Sequence, residues 1–386
     1  LRFKANNGDD FPKWDMKFGN EIFQNISDKN HNSDLPILAI TQEYGAIPRD
    51  LIDYKISVTD KSVDSYKVVQ KGDFIISLRS FQGGIEYSEY QGICSPAYII
   101  LRPIITVDRI FYKYYLKTSK YITHLNRKLE GIRDGKMISY KYFSDISLPL
   151  SSIAEQNKIS SFLFLIDSRI QTQKKIIEDL QITKKIASTK LFNKGFSNKD
   201  KCNFKKLGDL TYVVNKKNKE NLKLPVYSIN NKKGFVTQSE QFEGVDSDER
   251  GYDISLYKII DKETFAYNPA RINVGSIGYS RSLENIIVSS LYVCFKTTDE
   301  VSDEFLFQYL KTDLFKKDVL RNVEGGVRDY LFYENFSRIK VNLPNIDTQN
   351  KIANFLNLFD EKINLENEIL KQYENQKKYL LSNLFV

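Results

Sequence analysis

The sequence predicts an α+β fold with a pseudo-twofold internal repeat: two similar globular α/β domains separated by two long antiparallel coiled-coil helices. Three observations carry this expectation. A stretch of about 43 residues occurs twice, each copy keeps one seven-residue apolar register, and the segments ahead of the two copies share an order of strand-like runs.

Residues 150–192 return as residues 343–385 without a gap. Roughly 16 of about 43 positions are identical, more than unrelated segments share by chance, so the chain is internally duplicated. Gln156-Asn157-Lys158-Ile159 reappears as Gln349-Asn350-Lys351-Ile352, Asp167 as Asp360, and Leu191-Phe192 as Leu384-Phe385. In the first copy the apolar seam is Leu163, Ile166, Ile170, Ile177, Leu180, Ala187 and Leu191. In the second it is Leu356, Phe359, Ile363, Leu370, Tyr373, Leu380 and Leu384. A seam held over about four heptads reads as a coiled coil, and the natural partner of each copy is the other. The competing reading is an amphipathic helix lying on one globular core.

Gln173 and Glu366, with Lys184 and Lys377, are the polar members of the seam. They either fix register and orientation, or the lysine stems merely pass along the apolar layer. Outside it, Phe164, Asp167, Lys175 and their counterparts remain for partners. Ser152-Ile153-Ala154-Glu155 is a capping-box sequence and Asn345 can cap the second copy, so both helices have defined starts. At ~1.5 Å per residue, about 40 residues span on the order of 60 Å, a spacer of fixed length.

The expected domains are residues 1–147, a first helix at 148–194, a second globular domain at 195–342 and a second helix at 343–386. In the first domain, residues 35–40, 66–77 and 92–101 read as strand segments, with a helical patch over 108–129. Residues 193–203, rich in Lys, Asn, Gly and Ser, are a hinge candidate. The second domain echoes the first: 224–229 answers 35–40, 257–260 answers 66–69, and 275–280 answers 83–88. Near their ends, 130–134 pairs loosely with 324–329 and Phe143-Ser144 with Phe336-Ser337. The globular sequences agree far less than the helices do.

With 41% hydrophobic and 13% aromatic residues the chain is that of a folded protein. It shows no apolar run of about 18 residues and no signal-like start, so neither a membrane span nor secretion is expected. Cys94, Cys202 and Cys294 stand singly, which fits a reducing cytoplasm and suggests neither zinc nor a disulfide framework. The net charge of +8 is modest and gains meaning only with the architecture.

The search for catalytic chemistry finds none. Residues 131–137 (GIRDGKM) resemble a phosphate loop but are one residue short and lack Ser or Thr after Lys. Tyr267-Asn268-Pro269-Ala270 resembles the Asn-Pro-Pro-aromatic motif of amino-methyltransferases without its second Pro and aromatic, and reads as a turn. His31 and His124 have no metal-ligand spacing, and no acidic cluster suggests a metal-dependent nuclease.

A shared frame whose globular faces diverged suits two readers of different targets, since a fused, diverged pair can read an asymmetric pair of half-sites. The order of parts, the repeated Ile-x-x-Gln-Asn-Lys-Ile helix start (Ile153, Gln156, Lys158, Ile159, then Phe162, Leu163, Asp167 and Ile170) and the closing Leu-Phe resemble the DNA-specificity subunit of type I restriction-modification enzymes. The resemblance covers essentially the whole chain, departing where Ser151-Ser152 faces Pro344-Asn345. It implies two target-recognition domains for one bipartite double-stranded DNA site, helices that dock methyltransferase subunits, and restriction/translocase subunits in the complete enzyme. S-adenosylmethionine, ATP and Mg²⁺ would belong to those partners, with no cofactor on this chain.

DNA would be met by polar residues on Gly-containing loops. The candidates are Tyr44, Arg79, Ser80, Gln82, Arg133 and Lys136 in the first domain, and Asn230, Asn231, Lys232, Arg271, Arg281 and Arg328 in the second. Each is equally an ordinary solvated or turn residue. The alternative function is a coiled-coil scaffold with two protein-binding bodies, which salt dependence of binding would distinguish.

Overall fold

The computed structural model describes residues 1–31, 34–52, 63–127, 138–194, 203–241, 253–323 and 330–385. They fall into two compact units: Leu1–Lys174 with Ile369–Val386, and Lys175–Glu368. Each unit therefore combines one globular segment with part of each long helix, Ile153–Lys194 and Ile346–Asn383.

In the first unit, the strands Asp15–Phe18 and Ser147–Leu150 pair antiparallel. The globular segment thus closes on its own ends and hands the chain directly to the first long helix. A four-stranded antiparallel sheet follows the order Phe23–Ile26, Ile99–Pro103, Phe74–Ile76, Glu86–Tyr87. Two further strand pairs, Leu38–Thr41 with Gly45–Pro48 and Lys67–Val69 with Gly92–Cys94, are bridged between Ile37 and Ile93. The apolar run 92–101 is thus two strands, broken at Ser95-Pro96 because Pro has no N–H for a ladder. The helical patch likewise divides into Arg109–Tyr115, capped by the Asp108 side chain, and Ser119–Arg127. Between them Thr118 turns the chain, its hydroxyl donating to the Tyr115 carbonyl at 2.8 Å.

The second unit repeats this plan. Phe204–Lys206 pairs with Lys340–Asn342, and Thr211–Val213, Val293–Thr297, Phe265–Tyr267 and Ile277–Tyr279 form the matching antiparallel sheet. A second sheet orders Gly234–Thr237, Val226–Asn230, Ile286–Val288 and Lys258–Ile260, with one parallel pair. Asp303–Leu310 and Asp313–Asn322 answer the first unit's helix pair.

Each unit has a large core where its helices meet the sheet. In the first, Leu163, Ile166 and Ile170 share a core with Leu380, Leu384 and Phe385. In the second, Phe192 and Leu356 share one with Phe305, Leu306 and Tyr309. The chain numbering rises along one helix as it falls along the other, so the helix segments run antiparallel within each unit. Ile177 is also buried, while Leu180, Leu191, Phe359, Ile363, Leu370 and Tyr373 are half-buried. The closing Leu-Phe of each copy is an anchor: the Phe385 ring lies 5.2 Å from Phe111 and 5.6 Å from Tyr115, and Phe192 lies 5.2 Å from Phe305 and 5.5 Å from Tyr309.

The duplicated glutamine has a matched task. Buried Gln156 accepts from the Asp108 backbone N–H (2.8 Å) and donates to the Ser151 carbonyl (2.8 Å). Gln349 accepts from Ser302 N–H (2.8 Å) and donates to the Pro344 carbonyl (2.9 Å). Both side chains join a long-helix start to a short-helix start, satisfying groups that helix ends leave unpaired. Asn345 caps as expected, accepting from Thr348 N–H at 2.9 Å. The first capping box is only half used. Ser152 accepts from Glu155 N–H at 3.3 Å, but the buried Glu155 carboxylate takes Arg2 (2.9 Å) and Trp14 Nε1 (2.9 Å) instead, because a charge-assisted pair outcompetes a single cap bond.

Asp167 does not stand ready for an outside partner. It pairs with Lys377 (2.6 Å) and accepts from the Tyr114 hydroxyl (2.8 Å). The repeat-equivalent Asp360 pairs with Lys184 (2.6 Å) and accepts from Gln308 (2.8 Å). These matched ion pairs give the seam lysines defined partners, and each fixes the sliding register of its helix segments.

Candidate nucleic-acid interface

The surface candidates gather, in each unit, at a hairpin tip beside a short helical turn. In the first unit the hairpin Leu38–Thr41/Gly45–Pro48 turns through Gln42, Glu43 and Tyr44, with Gly45 at φ 70°. Tyr44 is 62% exposed. The tip touches the turn Ser80–Gly83: Gln42 Nε2 donates to the Arg79 carbonyl at 3.2 Å. A Cβ on Gly83 would come 2.7 Å from the Gln42 side chain, so this turn lies directly against the tip. Arg79 and Gln82 are exposed beside it. Tyr44 therefore shares one rim with Arg79 and Gln82.

Ser80 does not belong to that rim. It is buried, and its hydroxyl accepts from Ser77 N–H at 2.8 Å, holding the turn from inside. Arg133 and Lys136, with the phosphate-loop-like segment 131–137, lie outside the described residues. So do Arg328, Cys202 and the hinge residues 195–202.

In the second unit the hairpin Val226–Asn230/Gly234–Thr237 turns through Asn231, Lys232 and Lys233, with Gly234 at φ 71°. Asn230 shapes this turn. Its Oδ1 accepts from Lys232 N–H (2.8 Å) and Lys233 N–H (3.2 Å), so its acceptor is used internally. Asn231 and Lys232 are exposed. The neighbouring turn is Ile272–Val274, preceded by exposed Arg271. A Cβ on Gly275 would lie 3.4 Å from the Asn231 carbonyl oxygen, which places this turn against this tip as well.

Arg281 also leaves the set of free readers. Its guanidinium donates to both Glu304 oxygens (2.6 and 3.0 Å) and packs over the Tyr279 and Phe307 rings at 5.7 and 5.2 Å. A bidentate pair fixes the guanidinium plane. The hydrogen bond to Glu304 raises its pKa. With Lys232, Lys233, Phe235 and Lys311 these residues line a cavity of about 940 Å³. Lys311 sits 3.9 Å over the Phe307 ring, and burial pushes its ammonium down to about 8 against the opposing pull of Asp360. Burial alone would raise the Asp360 carboxyl, but Lys311, Lys184 and Gln308 outweigh it and hold the group below the usual carboxylate range.

Tyr267-Asn268-Pro269-Ala270 is a structural turn: Ala270 N–H donates to Asn268 Oδ1 (3.1 Å) and Leu331 N–H to the Pro269 carbonyl (3.1 Å). Burial pushes the Cys94 and Cys294 thiols up to about 12, so both are inert core side chains. Among the described residues no group of three or more His, Cys, Asp or Glu side chains could hold a metal ion, and no helix is long and apolar enough to cross a membrane.

Residues absent from the sequence-level set are Gln42, Glu43 and Lys233, the remaining tip positions. Their signal was available: each tip precedes a glycine that the hairpin needs at positive φ.

Residues 12–181 and 196–375 each match the family model described as the type I restriction modification DNA specificity domain. The chain is 23% identical over 352 residues to the type I restriction enzyme MjaVIII specificity subunit of Methanocaldococcus jannaschii, covering 85% of this chain and 81% of that protein. Its fold is similar to the crystal structure of a type I restriction-modification system S subunit from M. genitalium, with a TM-score of 0.57 at 15% identity over 100% of this chain and 98% of that one. A chain from a structure on complex assembly and conformational transition of the type I R-M system gives a TM-score of 0.58 at 13% identity, covering 97% and 98%.

Proposed function

Since this chain belongs to the type I restriction-modification DNA specificity family, with two copies of its domain, we propose that each globular segment reads one half of a bipartite, asymmetric DNA site. In this reading the paired helices set the spacing and seat methyltransferase subunits, and restriction/translocase subunits join the same complex. S-adenosylmethionine, ATP and Mg²⁺ are bound by those partners. This chain contributes affinity, register and sequence choice.

The observation that carries the reading is the uneven divergence of the two copies. Both units keep the same hairpin and turn, yet one tip carries Gln42, Glu43 and Tyr44 and the other Asn231, Lys232 and Lys233. Some helix positions show the opposite pattern. Leu165 and Leu358 are repeat-equivalent and identical while 59% and 62% exposed, and Ile153 and Ile346 are identical and 43% and 45% exposed. The core has no use for an exposed leucine, so its retention in both copies supports two like docking sites for one kind of partner.

The test is DNA affinity against salt for the full chain assembled with its methyltransferase partner. Neutralising 6–10 phosphates makes affinity fall about 10³-fold or more between 50 and 200 mM salt. Such a fall at a specific site is expected. Affinity for DNA that is absent or indifferent to salt would refute the reading.

A further inference from the structure

The duplication provides a comparison internal to the molecule. Two half-sites differ in their bases but share the sugar-phosphate backbone. Contacts to phosphate position a protein on DNA, whereas contacts to base edges specify sequence. A surface residue common to both copies is therefore suited to the common feature, and a divergent neighbour to the variable one.

Arg79 and Arg271 are such a common residue. Each immediately precedes the helical turn beside its hairpin tip, with similar backbone angles of φ −110°, ψ 7° and φ −137°, ψ 10°. Each is followed at the same spacing by the paired Tyr87-Ser88 and Tyr279-Ser280. Both side chains are exposed, and neither has a carboxylate partner among the described residues. This sets them apart from Arg102, bidentate on Asp73 at 2.7 and 2.8 Å, and from Arg281 on Glu304. The adjoining tip is hydrogen-bonded to the turn through Gln42 in one unit, and in the other the Asn231 carbonyl lies beside Gly275 at the end of the turn.

We propose that Arg79 and Arg271 are matched phosphate clamps, one per half-site, that seat the DNA backbone so that the adjacent tip, residues 42–44 or 231–233, meets base edges and sets that half of the sequence. The proposal rests on the DNA-reading function proposed above. A guanidinium suits a phosphodiester because its fork donates two parallel hydrogen bonds to two oxygens. The tip residues are of the reading kind: Gln and Asn match adenine in the major groove, Glu accepts from cytosine N4, and Lys donates to guanine.

The experiment uses the full chain in its methyltransferase complex, with Arg79→Ala, Arg79→Lys, Arg271→Ala, Arg271→Lys, Glu43→Ala and Asn231→Ala. Two readouts are taken: the slope of log affinity against log salt, and the methylated sequence in genomic DNA. Each Arg→Ala change should weaken binding alike on all sequences and make the slope shallower by about 0.9, the value for one phosphate. The methylated motif should not change, and Arg→Lys should restore the slope. The tip changes should relax positions in the first half-site (43) or the second (231) and leave the slope alone. The proposal is overturned if Arg→Ala alters the motif or leaves the slope unchanged, if Arg→Lys behaves as Arg→Ala, or if the tip changes leave both half-sites as they were. A wild-type complex without salt-sensitive binding would instead remove the DNA-reading function on which it rests.

Discussion

Exchanging the first globular segment for that of a relative with a different target is expected to rewrite one half of the methylated site and leave the other half unchanged. The globular segment is self-closed, because Asp15–Phe18 pairs with Ser147–Leu150, so residues 15–150 can be replaced with both strands of that pair retained. Its core residues lie in clusters separate from those of the second unit. Besides the Tyr114 hydroxyl that Asp167 accepts from, two contacts must survive the exchange: the backbone N–H at position 108 that Gln156 accepts from, and the aromatic seat of Phe385 formed by Phe111 and Tyr115. A donor that keeps Phe or Tyr at those two positions meets the second condition. Sequencing of methylated DNA reads the outcome. A change in both halves, or in neither, would mean that sequence choice is not modular.

Phe385→Ala and Phe192→Ala should each cost about 3–5 kcal/mol, the range for deleting a large buried aromatic side chain. Phe385 is 3% and Phe192 6% exposed. Each ring packs edge-on or tilted against two others, so truncation removes burial and leaves a cavity in a wall of rigid rings that has little freedom to collapse. Because these residues tie the end of one long helix to a globular segment outside its own repeat copy, the loss should fall on the unit that holds the ring. Urea unfolding with hydrogen exchange reads both the size and the place of the effect. Leu165→Ala is the contrast: as an exposed position it should change stability by no more than about 0.5 kcal/mol while weakening assembly with the methyltransferase. A loss below 1 kcal/mol at both phenylalanines would show that the Leu-Phe ends are not anchors.

The duplicated helix was legible because its signal is local: a seven-residue period and an identical start can be seen within one stretch of chain. The purpose of the shared glutamine was not. Gln156 serves a backbone group 48 residues earlier and Gln349 one 47 residues earlier, distances over which periodicity carries no information. The surface candidates divide on the same physics. Being polar and near glycine finds loop residues, and it found Tyr44, Arg79, Gln82, Asn231, Lys232 and Arg271. It does not tell which way a side chain turns. Ser80 turns inward to hold its own turn, and Arg281 is taken by Glu304, a residue 23 positions further on. The equivalence of Arg79 and Arg271 was present in the aligned strings, but only the contact of each turn with its hairpin tip places those arginines beside divergent side chains.

Single-molecule sequencing of genomic DNA tests most directly whether this chain specifies a two-part site. The comparison is between cells making it with the methyltransferase proposed as its partner and cells lacking only this chain. Loss of one asymmetric, two-part methylated motif, with all other methylation intact, is the expected result. An unchanged methylation pattern, with the methyltransferase present and active, would contradict a role in DNA specificity.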